Sequence, residues 1–316
     1  MTRALVDPEL LTGLDSFPFF ELNEGTLPSL RSMMNGLMPI ESYRRDDVII
    51  ENRIVPGPSG APDVPVLIYR PNISLGPFPA LLHIHGGGYV LGDAEASGPS
   101  NVCTAAEVGC VVVSVDYRLA PETVAPGAVE DCYAALRWLH TEADRLGVDR
   151  SRIAVGGESA GGGLAAALAL LARDRGEYPL CFQMLIYPMI DDRTATSAPD
   201  NPNTGEFIWT RSSNRFGWRS LLGEEPGGEG ASAYAAPARA KDLAGLPPAY
   251  ISVGALDLFL DEDIEYARRL LNAGVPTELH IHPGAYHGFE LAPEARVTKL
   301  SENERRAALA RAFENL

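Results

Sequence analysis

From residue 46 onward the chain alternates short apolar runs with amphipathic stretches. Eight runs read as strands, over residues 48–55, 64–70, 80–85, 110–116, 152–156, 182–187, 249–253 and 278–282. Runs such as CVVVSV and ISV are almost unbroken, which suits strands covered on both faces. In the first two runs polar residues interleave with apolar ones, so they read as an antiparallel edge. Helices are predicted over 100–107, 128–146, 160–174, 262–273 and 302–315. In the second of these Tyr133, Leu136, Leu139 and Leu146 form the stripe of a helix lying on a sheet. The pattern predicts an α/β fold, a mostly parallel sheet of eight strands flanked by helices. A ligand site then belongs beyond the carboxyl ends of the strands.

Two stretches break the alternation. Residues 1–45 carry Phe17, Phe19 and Phe20 and a predicted helix over 27–37, all before the first strand. Residues 191–246 carry a Pro/Asn loop, the aromatic-rich stretch EFIWTRSSNRFGWRSLLG and the turn EEPGGEG. Both read as segments of a helical cap, or lid, over a main unit made of 46–190 and 247–316. For 191–246 the alternative is packing on the flank of that unit.

Composition narrows the partners. A formal charge of −16 repels nucleic acid and anionic membrane surfaces, and the basic residues are interspersed with acids. Cys103, Cys110, Cys132 and Cys181 lack metal-binding spacing and read as free thiols. Acids and a proline in MTRALVDPELLTGLD argue against an export signal, and the apolar segment 160–172 is shorter than a membrane span. A cytoplasmic location is expected.

Candidate chemistry comes from three places. Gly157-Glu158-Ser159-Ala160-Gly161 follows one predicted strand and opens a helix, the context in which G-x-S-x-G makes a nucleophile elbow. His85-Gly86-Gly87-Gly88-Tyr89 ends another strand, and successive glycines suit a loop whose N–H groups approach something closely. The third is HIHPGAYHGF, which holds three of the six histidines. Together with His83 and His85 it raises the alternative of a split metal site, since residues i and i+2 of a strand share a face.

The chain resembles α/β-hydrolase-fold esterases of the hormone-sensitive-lipase-like family, the bacterial family IV carboxylesterases. The likeness rests on HGGGY at 85–89, DYRLAPE at 116–122, GESAGG at 157–162, DLFLDE at 257–262 and HGF at 287–289, and it covers most of residues 40–316. It implies Ser159 as nucleophile, Asp257 as triad acid and His287 as base, with the N–H groups of Gly87, Gly88 and Ala160 as oxyanion hole. Two positions depart from the family pattern. Glu158 stands where Asp is usual, and Leu258 follows the acid where proline is usual.

The residues support the same roles in part. Asp257 is the first carboxylate after its strand, whereas Asp261, Glu262 and Asp263 read as acids at a helix N-terminus. His287 follows the last strand by a short loop, and the order Ser, Asp, His suits this fold. Tyr89, Trp209, Phe216 and Trp218 are candidates for a substrate pocket, and His85 and Glu158 for supporting roles. His83, His280 and His282 read as structural, Arg118 and Glu122 as loop architecture. The expected function is hydrolysis of small, uncharged, short-acyl carboxylic esters, with amide or lactone hydrolysis as the enzymatic alternative. A non-catalytic ligand receptor on the same scaffold is the other. No cofactor or metal is expected, the partner is a small-molecule ester, and a homodimer is left open.

Overall fold

The computed structural model describes residues 2–17, 21–34, 39–73, 76–196 and 201–314. Phe19 and Phe20, the end of the expected helix beyond Met34 and residue 315 lie outside these. Eight strands, β1 (Val48–Val55), β2 (Val64–Pro71), β3 (Phe78–Ile84), β4 (Val111–Val115), β5 (Val148–Glu158), β6 (Phe182–Ile186), β7 (Ala249–Gly254) and β8 (Thr277–His282), form one sheet in the order β1-β2-β4-β3-β5-β6-β7-β8. β2 runs antiparallel to both its neighbours and the remaining pairings are parallel. The helices are α1 (Leu11–Ser16), α2 (Leu27–Met34), α3 (Gly98–Thr104), α4 (Gly127–Thr141), α5 (Ala143–Leu146), α6 (Ala160–Arg175), α7 (Arg211–Leu222), α8 (Leu260–Asn272) and α9 (Arg296–Glu314).

Unbroken apolar strands have a direct cause. Val111, Val113 and Val115 of β4 face the layer that contains α4 and α6, while Val112 faces the opposite layer with α9. Both faces of the strand exclude water, so its one polar side chain, Ser114, is buried with its hydroxyl on the Ala94 carbonyl. The apolar segment opening α6 is buried at every residue from Ala160 to Ala172, as a central core helix must be. Among the described residues no helix is long and apolar enough to cross a membrane.

α9 begins at Arg296, six residues before the predicted start at 302. Its first N–H groups lack intrahelical partners, and the Arg296 N–H donates to the Glu9 carboxylate at 2.6 Å. The cap therefore comes from the far end of the chain. The amino-terminal segment also reaches the loop after β8, where Asp7 N–H donates to the Gly284 carbonyl and the Tyr286 hydroxyl to the Leu10 carbonyl.

One arginine of α2 reaches the segments that follow β3 and β4. Arg31 donates to the carbonyls of Val90 and Ala120 and makes a forked pair with Glu122 at 2.6 and 2.9 Å. Replacing Arg31 with alanine is expected to cost about 1–3 kcal/mol and to expose residues 1–45 to proteolysis, read as a lower melting temperature and earlier cleavage. Lysine should restore little of this, because it cannot reproduce the planar fork.

Candidate active site

Ser159 sits between the end of β5 and the start of α6 with φ 56 and ψ −121, a conformation that L-residues rarely adopt. The turn is tight enough that a Cβ on Gly157 would lie 2.3 Å from the Ile84 carbonyl oxygen, and one on Gly161 would lie 2.0 Å from the same atom. Only glycine permits that approach. The Ser159 N–H is held by the Ile186 carbonyl, and its own carbonyl accepts from Gly163 and Met189. Anchored on both sides, the strained residue projects its hydroxyl at the carboxyl edge of the sheet.

Asp257 follows β7 and His287 follows β8, and backbone bonds from Ala255 to His282 and from Leu256 to Ala285 lock the two loops together. The His287 Nδ1 atom lies 2.8 Å from Asp257 Oδ2, and Nε2 lies 3.0 Å from Ser159 Oγ. Asp257 is fully buried, and its second oxygen accepts from the Phe259 N–H at 3.0 Å. A carboxylate can only accept, so Nδ1 carries the proton and Nε2 is left to accept from the serine hydroxyl. The rings of Tyr187 and Phe259 stand edge-on to the imidazole at 4.8 and 5.2 Å, and Trp209 lies at 6.3 Å. These aromatics surround the histidine with low-polarity surface, which strengthens any charge interaction made there. Sequence reading did not single out Tyr187 or Phe259, although Phe259 lies two residues past the acid.

The loop after β3 approaches from the opposite side. Gly87 and Gly88 have φ of 115 and 61. Val90 and Leu91 N–H groups both donate to the Gly87 carbonyl, which fixes the turn. Among the described residues neither the Gly87 nor the Gly88 N–H group meets an acceptor. Ala160 N–H opens α6, where the first turn lacks intrahelical acceptors and the helix dipole favours negative charge. His85 is buried and stacked on Tyr117 at 4.3 Å, and its Nδ1 lies 2.8 Å from the Gly86 carbonyl oxygen. Burial pushes its pKa down to about 4, so the ring is neutral and donates from Nδ1 to that carbonyl.

Beneath the elbow lies a second carboxylate and imidazole pair. Glu158 Oε2 is 2.9 Å from His83 Nε2 and accepts from the Ser97 hydroxyl, while His83 Nδ1 is 3.1 Å from Ser114 Oγ and 3.2 Å from Asn101 Nδ2. Burial alone would raise the Glu158 pKa. The His83 imidazole, its hydrogen bond and buried Arg305 outweigh burial and hold the value down to about 2. A carboxyl whose folded pKa is depressed stabilises the fold above its ordinary pKa of 4.5, and that contribution is lost as pH falls toward 2. Glu158→Gln is therefore expected to flatten the acid limb of stability between about pH 4.5 and 2, read by thermal melts of both proteins across pH.

Of the pocket candidates, Trp209 stands beside His287. Tyr89 and Trp218 pack on each other at 5.2 Å in the core, with the Tyr89 hydroxyl on the Met189 carbonyl, and Phe216 is buried on α7. Arg118 pairs with buried Asp131, and Glu122 pairs with Arg31. His280 meets Glu278 and Glu304, and His282 lies 3.9 Å from Glu304. Among the described residues no group of three or more His, Cys, Asp or Glu is arranged to hold a metal ion. The four cysteines are free, Cys110 and Cys132 buried and Cys103 and Cys181 half-buried.

Known proteins share this arrangement of chain and fold. A family described as alpha/beta hydrolase fold matches residues 81–291. The chain is 37% identical over 297 residues to the esterase LipI of Mycobacterium tuberculosis, covering 91% of this chain and 88% of that one. It is 36% identical over 300 residues to the carboxylesterase NlhH of the same organism, covering 92% and 90%. Among solved structures it is similar to a bacterial heroin esterase, with TM-score 0.93, 44% identity and 99% of each chain covered.

Proposed function

The chain belongs to the α/β-hydrolase family, in its hormone-sensitive-lipase-like branch, and is a carboxylic-ester hydrolase; from that premise we propose that it cleaves small, uncharged, short-acyl esters through Ser159, His287 and Asp257. The observation that carries this reading is the chain of contacts from Ser159 Oγ to His287 Nε2 at 3.0 Å and from His287 Nδ1 to Asp257 at 2.8 Å.

In this mechanism Ser159 Oγ attacks the carbonyl carbon as its proton passes to His287 Nε2. Charge develops on the carbonyl oxygen beside the N–H groups of Gly87, Gly88 and Ala160. The tetrahedral intermediate collapses, the C–O bond to the alcohol breaks, and the departing oxygen takes the proton from His287. An acyl-serine remains. Water, giving its proton to the same nitrogen, attacks that ester; the bond from the acyl carbon to Ser159 Oγ breaks, Oγ takes the proton back from His287, and the acid leaves. Asp257 keeps Nδ1 protonated and stabilises the imidazolium formed at each proton transfer. Aromatic surface around His287 and the acidic overall charge favour uncharged substrates over anionic ones.

The test is a series of p-nitrophenyl esters of increasing acyl length with matched anilides, alongside fluorophosphonate labelling. Hydrolysis should peak at short acyl chains, with one phosphonyl group attached at Ser159. Faster cleavage of anilides than esters would favour amide hydrolysis. An optimum at long acyl chains would overturn the short-acyl reading, and absence of both hydrolysis and labelling would favour a receptor.

A further inference from the structure

The segment that carries Trp209 into the site is itself strained. Ile208 has φ of +59, an outlier for a β-branched residue, and the Trp209 N–H donates to the Phe207 carbonyl at 2.7 Å. Together these make a three-residue γ-turn with a left-handed centre, a rare conformation that persists only when its surroundings determine it. The surroundings are residues on either side of His287. The Phe207 ring stands edge-on to Tyr286 at 6.1 Å, and Ile208 Cγ2 lies 3.8 Å from where a Cβ on Gly288 would sit.

The indole is fixed at both ends. Trp209 Nε1 donates to Asn214 Oδ1 at 3.1 Å, and fully buried Asn214 donates in turn to the carbonyls of Thr194 and Thr210. The opposite, benzo edge lies against the oxyanion loop, where a Cβ on Gly88 would fall 2.0 Å from Trp209 Cη2. Gly217 of α7 closes the back, since a Cβ there would lie 2.7 Å from the Gly88 carbonyl oxygen. Rotation of the ring would break the Asn214 bond and collide with the glycine loop.

We infer that the strained Phe207-Ile208-Trp209 turn is the specificity element of the site, holding the Trp209 indole as a rigid wall that limits the length of the acyl group. This inference rests on the triad reading given above. In the tetrahedral intermediate the departing alcohol must lie toward His287 Nε2 to receive its proton, and the oxyanion lies on the Gly87 and Gly88 N–H groups. The acyl group takes the remaining direction, on the oxyanion side away from the imidazole. The benzo edge of Trp209 stands on that side, against Gly88 of the oxyanion loop, and a fixed ring cannot yield to a longer chain.

The experiment compares the parent enzyme with Trp209→Ala, Trp209→Phe and Ile208→Gly. Each is assayed on p-nitrophenyl esters from acetate to decanoate, and on acetate esters of alcohols of increasing size. Trp209→Ala should move the preferred acyl length up by roughly two carbons or more and raise kcat/KM on octanoate about tenfold, while the alcohol series keeps its order. Trp209→Phe should fall between. Ile208→Gly should loosen the acyl preference in the same direction without lowering the melting temperature, because glycine accepts the positive φ.

An unchanged acyl profile in the two Trp209 variants overturns the proposal, as does a shift confined to the alcohol series. Lost stability in Ile208→Gly with an unchanged acyl profile overturns the role of the turn. If Trp209→Ala does not fold, the phenylalanine and glycine variants decide. Failure of the triad reading appears separately, as a parent enzyme that is active but unlabelled by fluorophosphonate.

Discussion

Replacing Ser159 by alanine is expected to lower turnover on a short p-nitrophenyl ester by about 10⁶-fold while leaving the melting temperature nearly unchanged. The first part follows from the proposed roles. Without Oγ there is no acyl-enzyme, and no neighbouring side chain can replace it, because Ser159 Oγ is the partner of His287 Nε2. What survives is binding and oxyanion stabilisation of a direct attack by water, worth about 10³–10⁴ over the uncatalysed rate. The second part follows from the backbone. Alanine is no more strained than serine at φ 56, and the bonds from Ser159 N–H to Ile186 and from Gly163 and Met189 to the Ser159 carbonyl are main-chain contacts that survive. Steady-state rates and the melting curve check the two parts, and loss of the mass shift with a fluorophosphonate checks that no acyl-enzyme can form. Activity above a tenth of the parent value would remove Ser159 from its proposed role.

Much of this architecture is legible in local pattern, and the exceptions share one physical reason. Strand β4 is read correctly because both of its faces are buried, so its sequence is apolar except for Ser114, whose hydroxyl donates to the Ala94 carbonyl. The turn at Ser159 and the glycine loop stand out because their backbone geometry admits few residue types. Strand β5 is different. It starts at Val148, well before the expected residue 152, and Asp149, Arg150 and Ser151 in its first part are not apolar. Its pairing begins where Val148 meets Phe78, a contact set by the neighbouring strand. The same holds for α9, whose start is capped by Glu9.

The supporting side chains of the site follow this rule too. His83 and Glu158 are 75 residues apart and meet because β3 pairs with β5, Ile84 opposite Gly157. Tyr187 after β6 reaches His287 after β8 because β7 pairs with both strands, and Arg31 reaches Glu122 across 91 residues. Reactive groups are marked by their own local backbone. The groups that hold them are marked only by strand order and register, which no short window of sequence contains. At the acid, α8 begins at Leu260, and the N–H of its N-cap residue Phe259 is the donor to Asp257.

Asp257→Asn is expected to lower kcat about 10⁴-fold with KM changed only a few-fold. The two carboxylate oxygens have different partners, His287 Nδ1–H at 2.8 Å and Phe259 N–H at 3.0 Å, and both partners donate. An asparagine amide has one acceptor and one donor end. If its oxygen faces Phe259, its NH₂ faces His287 and forces Nδ1 to accept. The proton then moves to Nε2, which faces the serine and can no longer take its proton. If the amide is turned over, NH₂ meets the Phe259 N–H inside a fully buried site, two donors face each other and a hydrogen bond is lost. In either orientation the negative charge that would stabilise the imidazolium is gone. The control is Asp261→Asn, at an exposed carboxylate in the first turn of α8 that accepts from Asn201, and it should leave kcat within about twofold. Fluorophosphonate labelling should slow in step with kcat in Asp257→Asn, since labelling needs the same activated serine. If Asp261→Asn proved the more damaging substitution, the acid would have to be sought on α8 and the proposed triad would fall.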